Sequence, residues 1–383
     1  MLEAILAIAT VLGGVAALWF FWDRLALKER AYRAAGRWFH TRPPTLFAAR
    51  QLGSTATVRF LVDWLENDQR RDGYYLGQFG LHANPKEERH FQTGREPLSV
   101  KPRLYLTGWP CFVLTRHHLA PQALETARRG ISRLLQDGVV RVSEGALPGM
   151  APADRPTLVS YRHTVRAVQI LLALGKERSA ISRTLGQILD PSGGWQNSDG
   201  GWAQCDIAFT DSDLWASAYA AALLFDLTRN GGFSSATSLP HSLAGTLAYL
   251  EAQWRQSKWA YGKLAAEQNA PQIFHEVARC LQMRAPVLRD EIVAWFKQWL
   301  TPAGTLSTTY YGRCKDLAAA SASVRLAYAF YLAGDGSHVW RPLYAAAVLD
   351  FGQGNGANSA DVAFLLDLTI ALEHEKENRT AAA

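Results

Sequence analysis

The chain has 383 residues and a net charge of +6, with 48% hydrophobic and 11% aromatic residues, enough apolar surface for a sizeable core, which excludes a disordered chain. Residues 23–50 hold a surplus of +5, so residues 51–383 carry only +2. The main domain therefore has no basic stripe for a nucleic-acid backbone, and no nucleic-acid partner is expected.

Residues 4–22, AILAIATVLGGVAALWFFW, carry no charge and match the length of about 20 residues that crosses a bilayer as a helix. A cleaved signal peptide would need a positive start and a small-residue cleavage site, whereas this stretch follows Glu3 and ends in Trp19, Phe20, Phe21 and Trp22. Those rings suit an interfacial belt. Arg24, Lys28, Arg30, Arg33 and Arg37 follow, and the positive-inside rule then puts the C-terminal side in the cytoplasm. Residues 1–22 are read as the transmembrane helix of a single-pass inner-membrane protein. Ala9, Gly13 and Ala17 fall four apart, a spacing that lets two helices approach closely and points to a homodimer or a membrane-protein partner, although small residues are common in any span. Residues 23–44 read as a basic juxtamembrane segment and linker, broken by Pro43-Pro44.

Residues 45–375 read as one all-α domain. Apolar residues recur at spacings of three and four over 54–70, 104–118, 121–137, 156–174, 177–190, 213–229, 240–256, 271–284, 287–300, 316–333, 341–350 and 359–373. Pro121 and Pro271 mark first turns, while Ser54, Asp213 and Asp316 are plausible caps. Residues 376–383 read as a polar tail. The turns Asp72-Gly73, Asp137-Gly138, Pro191-Ser192-Gly193-Gly194-Trp195 and Pro302-Ala303-Gly304 recur, a sign of repeated helical hairpins. Six such units predict a closed (α/α)6 toroid with the first helix of each pair lining a cavity; an open solenoid is the alternative. Cys111, Cys205, Cys280 and Cys314 are widely spaced without a CxxC pair and read as free thiols.

Residues 199–224, DGGWAQCDIAFTDSDLWASAYAAALL, resemble the squalene-hopene cyclase stretch in which a Gly-Gly-aromatic turn leads into an Asp-x-Asp-Asp-Thr-Ala motif. The hairpins resemble the wider superfamily of terpenoid cyclases and protein prenyltransferases. The resemblance implies an α/α toroid acting on an isoprenoid, with Asp213 as the acid that protonates an alkene and Asp211 as the motif's first Asp. Leu214 and Trp215 stand where that motif has its third Asp and its Thr, which removes part of the tuning a strong acid needs. Tyr161-Arg162-His163-Thr164 resembles the zinc-histidine motif of prenyltransferases. No Asp-x-Cys accompanies it, so the zinc set is incomplete and no metal ligand is assigned.

Asp213 and Asp211, with His163, are thus the candidate catalytic residues, and capping is the plainer role for Asp213. Trp195, Trp202 and Trp215 are candidate pocket walls able to stabilise a cation, or else turn plugs. His275 is a candidate ligand contact on an inner helix. Tyr311 and Arg313, just before a predicted helix, are candidates for receiving an anion at its N-terminus. Residues 76–99 are polar enough to form a lid or a plain insertion. The expected partner is a hydrophobic or lipid-like small molecule, taken up by a cyclase- or prenyltransferase-like enzyme. A non-catalytic receptor or scaffold is the alternative. A glycan-active lyase, hydrolase or epimerase is the third, with the Tyr74-Tyr75 and Tyr310-Tyr311 pairs at its service.

Overall fold

The structure is a computed structural model. It describes residues 55–69, 76–79, 104–135, 137–143, 157–176, 178–190, 192, 195–206, 210–229, 238–262, 264–314, 319–334, 339–352 and 358–381. The expected span, the juxtamembrane segment, the caps Ser54 and Asp316 and most of 76–99 lie outside these residues. Among the described residues there are thirteen α-helices and two small two-stranded ribbons, so the domain is all-α. None of these helices is long and apolar enough to cross a membrane.

The helices are α1 (Thr55–Asp68), α2 (Leu104–Arg116), α3 (Pro121–Leu134), α4 (Tyr161–Ala173), α5 (Ser182–Leu189), α6 (Leu214–Arg229), α7 (Ser238–Ser257), α8 (Ala266–Arg284), α9 (Pro286–Lys297), α10 (Thr308–Arg313), α11 (Ala319–Leu332), α12 (Trp340–Gly352) and α13 (Ser359–Ala381). Strand β1 (Arg141–Ser143) pairs antiparallel with β2 (Thr157–Val159), placing Arg141 opposite Val159. β3 (Trp202–Ala203) pairs with β4 (Ser212–Asp213). The β1–β2 ribbon takes the residues before Tyr161 that periodicity assigns to a helix.

Six helices pack in sequence, α2 on α4, α4 on α6, α6 on α8, α8 on α11 and α11 on α13, and α13 packs back on α2. The others lie against these: α3 on α2 and α4, α5 on α4, α7 on α6, α9 on α8, α12 on α11 and α13, and α1 on α13. Burial follows the same division. α6 is buried nearly all round, from Leu214 to Leu227, as a helix between two layers must be. α3 buries only Ala123, Ala127, Gly130 and Ile131, a single stripe. Gly138 and Gly304 take φ of +81° and +75°, which glycine adopts without steric cost, and Val139 and Leu306 beside them are buried.

Pro121 and Pro286 start their helices. Pro271 does not: it lies inside α8, which begins at Ala266. A proline there deprives the carbonyl four residues back of its helical donor. That carbonyl belongs to Glu267, and the Tyr310 hydroxyl of α10 donates to it at 2.7 Å. α10 is a short helix that the apolar spacing does not reveal. The expected tail is a continuation of α13 as far as Ala381. All four cysteines are buried and free.

Asp367 on α13 joins the last of the six packed helices to the first. Its carboxylate accepts from Arg116 Nη1 at 2.5 Å, His117 Nε2 at 2.7 Å and Tyr328 Oη at 2.7 Å, and its side chain is 1% exposed. Burial pushes this carboxyl up, but the His117 hydrogen bond, the Arg116 charge and the Tyr328 hydrogen bond outweigh burial and hold it below its ordinary value. Asp367→Asn is expected to lose about 2 kcal/mol of stability at neutral pH. A depressed carboxyl contributes fully above the unfolded value of about 3.9 and loses that contribution as pH falls toward the folded value. Urea unfolding from pH 6 to pH 3 should therefore show a shallower acid loss in the variant than in the wild type.

Candidate binding site

The axis enclosed by the six helices is occupied by charge. Arg166, near the middle of α4, has a fully buried side chain and forms a two-pronged bond to Glu276 of α8, Nη1 to Oε2 at 2.8 Å and Nη2 to Oε1 at 3.0 Å. Trp109 of α2 donates its Nε1–H to the same carboxylate at 2.8 Å. The guanidinium also lies over the rings of Tyr219 at 4.6 Å and Phe112 at 5.0 Å. Burial pushes the Tyr219 hydroxyl up to about 12, so it stays protonated. Gly108 of α2 makes room for the guanidinium: a Cβ there would come within 2.4 Å of Arg166 Cζ, Nε and Nη2.

His275 sits beside Glu276, ringed by Trp109, Tyr328 and Phe364 at centroid distances of 6.4, 5.5 and 4.6 Å. Its Nε2–H donates to the Arg325 carbonyl at 2.5 Å. Burial lowers its pKa to about 3, despite that bond, so the ring is neutral and structural at physiological pH.

Trp109, His275 and Glu276 form a septum between two cavities, because all three line both. The cavity on the side of the inner-helix N-termini is a slot of about 40 Å³ bounded by Tyr105, Trp215, Tyr219 and Phe364. The other is a mouth of about 570 Å³ at the C-terminal ends of α2, α4, α6, α8 and α11. Phe112, Leu172, Ala222, Leu223 and Leu332 give it apolar wall, and five cations, Arg116, Lys176, Arg178, Arg229 and Arg279, line it together with Asp226. A concave cavity that joins apolar wall to convergent polar groups is an arrangement expected of a small-molecule site.

Comparison with protein-family models and with curated proteins finds no match.

The residues singled out in the sequence fall largely outside this mouth. Asp213, buried at the end of β4, caps α6: Oδ1 accepts from Ala216 N at 2.7 Å and Oδ2 from the Tyr261 hydroxyl at 2.5 Å. Asp211 is exposed. Trp215 follows the cap, and the Arg162 guanidinium lies 5.3 Å over its ring. His163 Nδ1 is 2.6 Å from the Ser160 hydroxyl, the cap of α4. Trp195 stacks on Tyr161, the first residue of α4, at 4.1 Å, and Trp202 donates to Thr246 Oγ1 of α7 at 2.8 Å; both are buried. Tyr311 is 3.2 Å from Ser323 Oγ through its hydroxyl. Arg313 is exposed in the last turn of α10, so Tyr311 and Arg313 both lie within a short helix. Of the candidates, only His275 reaches the mouth. Among the described residues no group of three His, Cys, Asp or Glu side chains comes together to hold a metal, and burial pushes the Cys205 thiol up to about 11.

Spacing rules select caps, turns and aromatics, and they pass over Arg166, Glu276 and the rim. The available signal was a charge in mid-helix among apolar neighbours, Val165-Arg166-Ala167-Val168 and Phe274-His275-Glu276-Val277.

Glu276→Ala leaves Arg166 buried and unpaired, and is expected to cost about 3–5 kcal/mol in urea unfolding; the double variant Arg166→Met/Glu276→Leu should regain most of it. His275 gives a separate pH signature. A depressed histidine contributes fully above its unfolded value of about 6.5 and loses stability as pH falls toward the folded value. Between pH 6.5 and pH 5 the wild type should lose about 2 kcal/mol that His275→Gln does not.

Proposed function

We propose that this chain is a membrane-anchored, closed α/α toroid of six helical hairpins that binds a lipid-like small molecule in the mouth at the C-terminal ends of its inner helices. The closed ring is supported by the packing of α13 back on α2 and by the Asp367 junction between them. The anchor is supported by the uncharged stretch at 4–22 and the basic run that follows it. The observation that carries the ligand reading is the mouth itself: about 570 Å³ of space, with apolar and charged side chains on its walls, that ends on the septum of Trp109, His275 and Glu276. A blind cavity admits a ligand from one side and holds it, as a receptor does.

Acid catalysis at Asp213, the reading implied by the cyclase resemblance, has less support. Asp213 does not line the mouth, and both its carboxylate oxygens are engaged, by the Ala216 amide and the Tyr261 hydroxyl.

Ala222 lies on the mouth wall and is only half-buried, so a larger side chain there fills the cavity before it disturbs the core. Ala222→Trp is expected to abolish displacement of an apolar fluorescent probe from the full chain while leaving the thermal midpoint within a few degrees. Asp213→Asn should leave probe binding intact. Probe affinity unchanged in Ala222→Trp would place the ligand elsewhere.

A further inference from the structure

The mouth carries more positive charge than its acids neutralise. Glu276 is committed to Arg166, Arg116 to the buried Asp367, and Arg279 faces Asp226 at 3.5 Å. Lys176, just beyond α4, and Arg229, at the end of α6, form no ion pair among the described residues. Thr115 on the same wall has a buried hydroxyl with no hydrogen-bond partner among the described residues. Cations near helix C-termini gain from the helix dipole, which accounts for a basic residue at the end of α2 or α6 taken singly. It does not account for a cationic surplus around an apolar throat, where low-dielectric walls focus the field on whatever enters.

We infer that the ligand is a single-chain anionic amphiphile, with its apolar chain against Phe112, Leu172 and Leu223 and a phosphate- or carboxylate-type head between Lys176 and Arg229. This rests on the mouth being the ligand site, and adds the chemistry of the head. The apolar wall alone would accept a neutral chain equally well, so the head is what the rim selects. The inference commits to a free molecule in solution, not to a headgroup still seated in a bilayer.

The test is calorimetric titration of the full chain with dodecyl phosphate and with dodecanol, at low and high salt, for the wild type, Lys176→Gln and Arg229→Gln. The phosphate should bind more tightly than the alcohol, each variant should weaken the phosphate by roughly tenfold, and salt should narrow the gap. Dodecanol affinity should be unchanged in both variants, a control for folding. Equal binding of phosphate and alcohol overturns the anionic head and leaves the apolar site standing. Binding of neither overturns the site as well. Binding to vesicles containing phosphatidic acid, without binding to free dodecyl phosphate, overturns the free amphiphile as the ligand.

Discussion

A ring of six packed helices leaves space along its axis, and in this domain the Arg166–Glu276 pair fills it. Two opposite charges in a dry interior are tolerable only when they meet each other with good geometry and additional hydrogen bonds. The two-pronged contact, the Trp109 donor and the Tyr219 and Phe112 faces supply those conditions. Gly108 is tied to the same constraint, because a Cβ there would come within 2.4 Å of the guanidinium and force it to move. The position of the septum then decides how the axial space is divided, and so which end of the ring is deep enough to hold a molecule.

The two ends differ in chemistry as well as depth. At the N-terminal side, β-ribbons, caps and turn residues hold Asp213, Ser160 and Asp361 in fixed hydrogen bonds: Asp361 accepts from Arg325 Nε at 2.7 Å and from the Ser321 hydroxyl at 2.5 Å. Those side chains are consumed in holding helix starts in place. At the C-terminal side the helix ends leave carbonyls that favour nearby cations, and the walls between them are aliphatic. Among the described residues, one end keeps only a narrow slot, and the other opens into a wider mouth lined by more cations than acids.

The all-α class was legible because the outer helices each bury one stripe, as Ala123, Ala127, Gly130 and Ile131 do in α3. Pro121 marked a helix start correctly, whereas Pro271 did not, because a donor from a distant helix, the Tyr310 hydroxyl, replaces the missing amide. Such a substitution is invisible in a local window. Asp213 as a cap could be read from its place before an apolar run, while Trp195 and Trp202 were legible as aromatic positions without revealing whether they face the axis or the outer layer. The buried ion pair was legible only in halves. Arg166 and Glu276 each stand out as a charge among apolar residues, but they lie 110 positions apart, and no spacing rule joins them. The rim is dispersed further, over the ends of separate helices, so its charge becomes a feature only once the ring brings those ends together.

The junction at Asp367 also bears on how the protein is made. Arg116 and Asp367 are 251 positions apart in the chain, so α2 leaves the ribosome long before the helix that covers its flank exists. At a synthesis rate of about 5–20 residues per second, that interval is on the order of ten to fifty seconds. Throughout it the face of α2 that α13 will cover lacks its partner, Trp109 among it, whose ring meets Phe364 at 5.1 Å in the finished fold. The cell must shield that face during translation, and an early stop anywhere before α13 would release a ring with both ends open.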